Sequence, residues 1–198
     1  MFICVEGLDG SGGTTQVERL RQAWAIRSPG REIVVTREPS PGPVGRLIRA
    51  ALADTDIGEG VLPYLFAADR RDHLDRVVLP ALARGAVVIS DRYALSSLAY
   101  QSLAVGLEKV GALNADFPAP DHTLMLDLPP TDCLARIELR GGTRDRFETL
   151  ARLQEIAASY EAAIGWASAR GWSIARIDAS GSPDDVAARV AEVIWPGC

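Results

Sequence analysis

Four glycines fall within the seven residues from Gly7 to Gly13, directly after the apolar run Met1-Phe2-Ile3-Cys4-Val5-Glu6. The run suits a buried strand. Neither a strand nor a helix continues comfortably through so many glycines, so the chain must turn there. From Thr14 onward Val17, Leu20, Ala23 and Trp24 recur at spacings of three and four, the pattern of a helix with one apolar face. Strand, tight turn and helix are therefore set at the start of the chain.

The turn reads Gly7-Leu8-Asp9-Gly10-Ser11-Gly12-Gly13-Thr14-Thr15. It fits the phosphate-binding pattern G-x-x-x-x-G-K-[ST] at Gly7, Gly12 and Thr14, but Gly13 stands at the lysine position. Across Gly7, Gly10, Ser11, Gly12, Gly13, Thr14 and Thr15 the small residues let successive backbone N–H groups converge on an anion. The helix N-terminus adds its positive dipole, and Thr14 can offer a hydroxyl to Mg2+. The competing account is a βα turn that is glycine-rich for steric reasons alone. A lysine at position 13 would neutralise charge on a transferring phosphoryl group. At about 4 Å and an effective dielectric of about 20, that charge is worth roughly 4 kcal/mol before desolvation. Glycine leaves the N–H donors in place, so binding is expected to survive better than catalysis unless an arginine compensates.

Apolar strand candidates alternate with helical patterns along the rest of the chain. Strands are expected at 2–6, 33–36, 87–90, 123–127 and 173–177, and helices near 14–26, 44–53, 61–83, 94–105, 131–139, 148–169 and 183–194. Such alternation predicts an α/β, three-layer sandwich: a five-stranded parallel sheet with helices on both faces, formed by residues 1–198 as one domain. Ligands of such sheets sit beyond the carboxyl ends of the strands.

The 198 residues carry a formal net charge of −5, which argues against a nucleic-acid polymer as main partner but not against a nucleotide held by local arginines. Lys109 is the only lysine among the 21 basic residues, so a substitute cation would be an arginine. Cys4, Cys133 and Cys198 are too far apart for a metal-ligand pattern, and no apolar run is long enough to span a membrane or act as a secretory leader. A reduced, cytoplasmic setting with no membrane partner is the expectation.

The polar residues at strand ends supply the remaining candidates. Arg37, after the second strand, can grip a phosphate in bidentate fashion, or can pair with Glu38 at the surface. Phe66 and Arg70 are four apart and share a helix face, where a base could stack and be bonded at its edge; otherwise they are a core ring and a solvated charge. His73, one turn further, reads as structural. Asp91, ending the third strand, can organise a Mg2+ shell, and Arg92 would reach the phosphate side. Ser97, Tyr100 and Gln101 fall on one face and offer hydrogen bonds to a base or sugar. Arg136, Arg140, Arg144 and Arg146 surround a short glycine-containing stretch, about 138–148, that reads as a lid over phosphates or as a solvated charged turn.

Taken together these residues resemble the thymidylate kinases, phosphate-loop (P-loop NTPase) nucleoside-monophosphate kinases that make dTDP from dTMP and ATP. The resemblance runs through nearly the whole chain: Glu6-Gly7-Leu8-Asp9-Gly10-Ser11-Gly12, Thr36-Arg37-Glu38-Pro39, Leu65-Phe66-Ala67-Ala68-Asp69-Arg70, Asp91-Arg92-Tyr93, Ser96-Ser97 with Ala99-Tyr100-Gln101, Pro120-Asp121, Leu126-Asp127-Leu128-Pro129-Pro130 and Asp145-Arg146-Phe147-Glu148. It implies that Phe66 stacks on thymine and Arg70 bonds its edge. Ser97 and Gln101 would read the base, and Tyr100 would sit near the sugar and disfavour a 2′-hydroxyl. Asp9 would hold the 3′-hydroxyl or phosphate side, while Arg37 and Arg92 would bind the dTMP phosphate. ATP and Mg2+ would meet the glycine loop, with Thr14 and Asp91 on the metal side, and residues 178–182 would form the adenine-side loop. As in the bacterial branch, the loop lacks an extra arginine, so Arg140, Arg144 and Arg146 are candidates for the catalytic cation. A homodimer is also implied.

Two departures keep other readings open. Gly13 motivates a nucleotide-binding paralogue with impaired catalysis. Ser40-Pro41-Gly42-Pro43, in place of the family's more glycine-rich stretch, motivates a kinase of another nucleoside monophosphate.

Overall fold

The computed structural model describes residues 1–53, 57–141 and 149–197. Five parallel strands form one sheet in the order β2-β3-β1-β4-β5. They are β1 (Phe2–Gly7), β2 (Ile33–Arg37), β3 (Val87–Asp91), β4 (His122–Asp127) and β5 (Ile174–Asp178). All six residues of central β1 are buried, so both faces of the sheet are covered, as its unbroken apolar run requires. The edge strands β2 and β5 are only partly covered.

Helix α1 (Gly13–Arg27) buries Val17, Leu20 and Trp24 against β1, β2 and β3, and also packs on α10 (Pro183–Ile194). A capping box between Ser182 and Asp185, with Pro183 in the first turn, starts α10. A second group of helices is built on α5 (Ala94–Tyr100), which packs on β1 and on α9 (Leu150–Ser168). The expected helix 61–83 is instead interrupted. Its α3 part (Leu62–His73) passes through a π turn at Leu74–Val78 into α4 (Leu79–Ala83). Pro80 explains the interruption, because it cannot donate to the ladder and crowds the carbonyl four residues back. The expected helix 94–105 breaks at Gln101, before the short α6 (Ser102–Val105). Helix α7 (Leu107–Asn114) is an addition to the sequence reading. Between α1 and α3 lies α2 (Pro43–Ala53), and α8 (Pro130–Arg140) follows β4.

Register aligns the functional strand ends. Val5 lies opposite Asp91, Asp91 opposite Arg37, and Gly7 opposite Leu126. The glycine loop, Arg37, Asp91 and Arg92 therefore share one edge of the sheet.

Candidate active site

Gly12 adopts φ 101° and Gly10 φ 86°, left-handed conformations that favour glycine. A Cβ on Gly10 would strike the backbone of Cys133 in α8, so this helix lies directly on the loop. Gly13 is different. It begins α1 without a positive φ, and a Cβ there would meet only the Asp91 carboxylate at 3.3 Å. No backbone requirement makes position 13 glycine.

Thr14 Oγ1 donates to Asp91 Oδ2 at 2.6 Å, which sets a hydroxyl and a carboxylate side by side at the foot of the loop. Such hard oxygen donors suit Mg2+, which usually takes one or two protein oxygens and completes its shell with phosphates and water. Among the described residues no group of three or more His, Cys, Asp and Glu side chains converges as a full metal cage.

Arg92 departs from ordinary backbone geometry, with φ 71°. A non-glycine residue held there marks a site that its surroundings over-determine. Its guanidinium donates to Asp9 Oδ1 (2.7 Å), Gly7 O (2.9 Å), Ser96 Oγ (3.0 Å) and Tyr160 Oη (3.3 Å). Tyr100 closes the group: its hydroxyl donates to Asp9 Oδ2 at 3.0 Å, and its ring lies 5.1 Å from the Arg92 guanidinium. Burial pushes both tyrosine hydroxyls well above the ordinary range, so they stay protonated. Beneath them Glu6 accepts from Tyr93 N at 2.8 Å and from the Ser96 hydroxyl. Burial raises its carboxyl to about 7, against the opposing Ser96 hydrogen bond.

Arg70 is wholly buried and ion-paired with Glu38 at 2.7 Å. It also donates to Ser97 Oγ at 2.9 Å and to Asn114. Glu38 faces His73 at 3.2 Å, and His73 bonds Thr36 at 2.6 Å, so His73 is part of this scaffold as expected. The surface pairing of Arg37 with Glu38, one of the two expectations for Arg37, does not occur, because Glu38 is turned inward. Nor is Arg70 a solvated charge or Phe66 a member of the main core; Phe66 lines the cavity. The Ser40–Pro43 stretch is also tied down: Ser40 N and Oγ both donate to Asp69 of α3, at 2.7 and 2.6 Å.

One cavity of about 1370 Å3 joins these parts, more than the roughly 300–1,000 Å3 typical of a site for one small ligand. It brings Gly7, Asp9, Gly10, Ser11, Gly12, Gly13, Thr14 and Thr15 together with Arg37, Phe66, Arg70, Asp91, Arg92, Ser97, Tyr100 and Gln101. Gln101 is buried, and its amide oxygen has no partner among the described residues. Arg140, at the end of α8, lines the same cavity, whereas Arg144 and Arg146 lie outside the described residues. Of the stretch 138–148 expected as a lid, residues 138–140 belong to α8 and 142–148 lie outside the described residues.

Two cavity arginines were not singled out individually by the sequence. Arg49 of α2 donates to Pro39 O and Ser40 O, both at 2.9 Å. Arg136 of α8 donates to Ser11 O in the loop and to Ala179 O and Gly181 O after β5. The helical spacing of Cys133, Arg136, Ile137 and Arg140 was the available signal, because it puts all four on one face.

The thymidylate kinase family pattern matches residues 5–190 of the chain. The chain is 42% identical over 195 residues to a probable thymidylate kinase of Pyrobaculum aerophilum, covering 98% of this chain and 95% of that protein. It is 42% identical over 160 residues to a probable thymidylate kinase of Pyrococcus horikoshii, covering 77% of each. With the thymidylate kinase of Xanthomonas oryzae pv. oryzae it shares 41% identity over 155 residues, covering 78% and 67%. The matched span takes in both the glycine loop and the strand-end arginines, and the chain belongs to the thymidylate kinase family.

Proposed function

We propose that the protein transfers a phosphoryl group from ATP to dTMP, giving dTDP. The observation that carries this reading is the single cavity with two unlike ends. One end is a loop of backbone N–H donors at a helix start. The other is a pocket with a ring, Phe66, and polar groups at Arg70, Ser97 and Gln101. A donor triphosphate suits the first and a nucleoside monophosphate the second. Phosphoryl transfer needs mainly positioning and charge stabilisation, which such a cleft supports.

Arg37 and Arg92 are proposed to bind the acceptor phosphate. Asp9, held between Arg92 and Tyr100, would orient the sugar end. Phe66 would stack on the thymine, with Arg70, Ser97 and Gln101 at its edge. Thr14 and Asp91 would hold Mg2+, whose charge would neutralise oxygens of the transferring phosphates. Arg140, together with Arg144 and Arg146 outside the described residues, would add cations as the cavity closes. We also propose a cytoplasmic homodimer. No described helix is long and apolar enough to cross a membrane, and exposed Leu47 and Tyr64 on the mutually packed α2 and α3 offer apolar area for a second copy.

Gly13 favours a second reading, nucleotide binding without transfer. Incubation with ATP, Mg2+ and a panel of nucleoside monophosphates, read by chromatography of the products, separates the two. The kinase reading expects dTDP as the main product; a panel giving no diphosphate, or another diphosphate in clear excess, would refute it.

A further inference from the structure

The residue that takes over the charge missing at Gly13 can be sought in the walls of the loop itself. Helix α8 rests on the loop through the Cys133 backbone against Gly10. One turn later Arg136 reaches Ser11 O at 3.3 Å, and its Nη1 would lie 3.8 Å from a Cβ on Gly12, the residue preceding the vacated lysine position. On the other side its Nη2 is fixed by Ala179 O at 2.9 Å and Gly181 O at 3.4 Å. These acceptors are neutral carbonyls. Among the described residues no carboxylate stands within ion-pair distance of Arg136, in contrast to Arg70 with Glu38 and Arg92 with Asp9. Among the described residues the half-buried guanidinium therefore has no counter-charge at ion-pair distance and is pinned beside the loop, with Nε–H donating to none of them. A planar, weakly hydrated guanidinium fixed before a phosphate arrives suits recognition of a polyphosphate.

We propose that Arg136 supplies from α8 the charge on the donor triphosphate that a lysine at position 13 would otherwise carry, so that Gly13 and Arg136 form one compensated pair. The proposal rests on the reading of the loop as an ATP site. It assigns the resident cation to Arg136. It also predicts a selectivity: Arg136 should matter for nucleotides in proportion to their charge beyond the first phosphate.

The test is equilibrium binding of ATP and AMP, measured by calorimetry without acceptor, for the unmodified protein, Arg136→Gln, Arg136→Lys, Gly13→Lys and the double variant Gly13→Lys/Arg136→Gln. Thermal melting confirms that each is folded. Arg136→Gln is expected to weaken ATP about 10- to 100-fold and AMP less than about threefold. Arg136→Lys should retain most ATP affinity, and Gly13→Lys should restore ATP binding to the Arg136→Gln protein. Equal weakening of ATP and AMP would overturn the proposal, since a loop tie or a base contact alone does that. Failure of Gly13→Lys to rescue, or no ATP binding by the unmodified protein, would overturn it too. If ATP binds as predicted but no dTDP forms, the kinase reading fails while the charge assignment stands.

Discussion

The two ends of the cavity are built by opposite means. At the acceptor end two arginines are bound to carboxylates, Arg70 to the buried Glu38 and the partly exposed Arg92 to Asp9, with Ser96, Ser97, Tyr100, Tyr160 and His73 completing the bonds. At the donor end a chain of backbone donors is held by glycine geometry, and among the described residues Arg136 bonds only carbonyls. A buried ion pair is a rigid template, because either partner left alone is a buried uncompensated charge. A cation resting on carbonyls keeps its field for a ligand. The acceptor end should therefore be part of the fold's stability, and the donor end should be largely separable from it.

Replacing one arginine at each end gives the largest expected contrast. Arg70→Met should lower unfolding free energy by about 3–5 kcal/mol, because the buried Glu38 loses its guanidinium and keeps only the contact with His73. Arg136→Met should lower it by less than about 1.5 kcal/mol, the scale of ordinary hydrogen bonds. Urea unfolding of both reads this directly, and equal losses would break the comparison.

The acceptor scaffold should also respond to pH. Burial raises Glu6 from 4.5 to about 7, so between those values the folded protein holds a proton that the unfolded chain has released. The contribution is full below the unfolded value and is lost as pH rises through about 7, a fall of up to about 3 kcal/mol. Glu6→Gln should flatten the stability profile between pH 4.5 and 7; an unchanged slope would assign the effect elsewhere.

Within the donor loop, the glycines divide. Gly10→Ala places a Cβ on the Cys133 backbone at φ 86° and should cost about 2 kcal/mol or more. Gly13→Ala has ordinary backbone geometry and should stay within about 0.5 kcal/mol of the unmodified protein, or gain slightly. Melting curves of the pair test whether position 13 is free of structural constraint. At the metal side, Asp91→Asn should raise the Mg2+ needed for half-maximal turnover about tenfold, with dTMP affinity unchanged.

Much of this was legible in the sequence, for local reasons. The glycine loop, the five strands and the residues at their ends are written in consecutive residues, and the parallel sheet follows from their alternation. Helix α7 was missed: its short run of eight residues includes Gly111, which sits there because a Cβ would strike the Trp166 ring of α9. The break at Gln101 and the π turn before Pro80 reflect tertiary fit overriding local propensity. Arg37 and Glu38 are adjacent and looked like a pair, yet Glu38 turns inward to Arg70, 32 residues away. Arg136 was visible only as one of several arginines near a turn, and its meaning depends on α8 being laid against the loop by a contact that sequence alone does not announce.

The most direct test of the whole account is steady-state ADP release from ATP and Mg2+, with and without dTMP, by the unmodified protein beside Gly13→Lys. The account predicts dTMP-dependent turnover by the unmodified protein within about tenfold of the lysine variant, since a charge already stands beside the loop. No turnover above a no-enzyme control, with activity appearing only in Gly13→Lys, would contradict it.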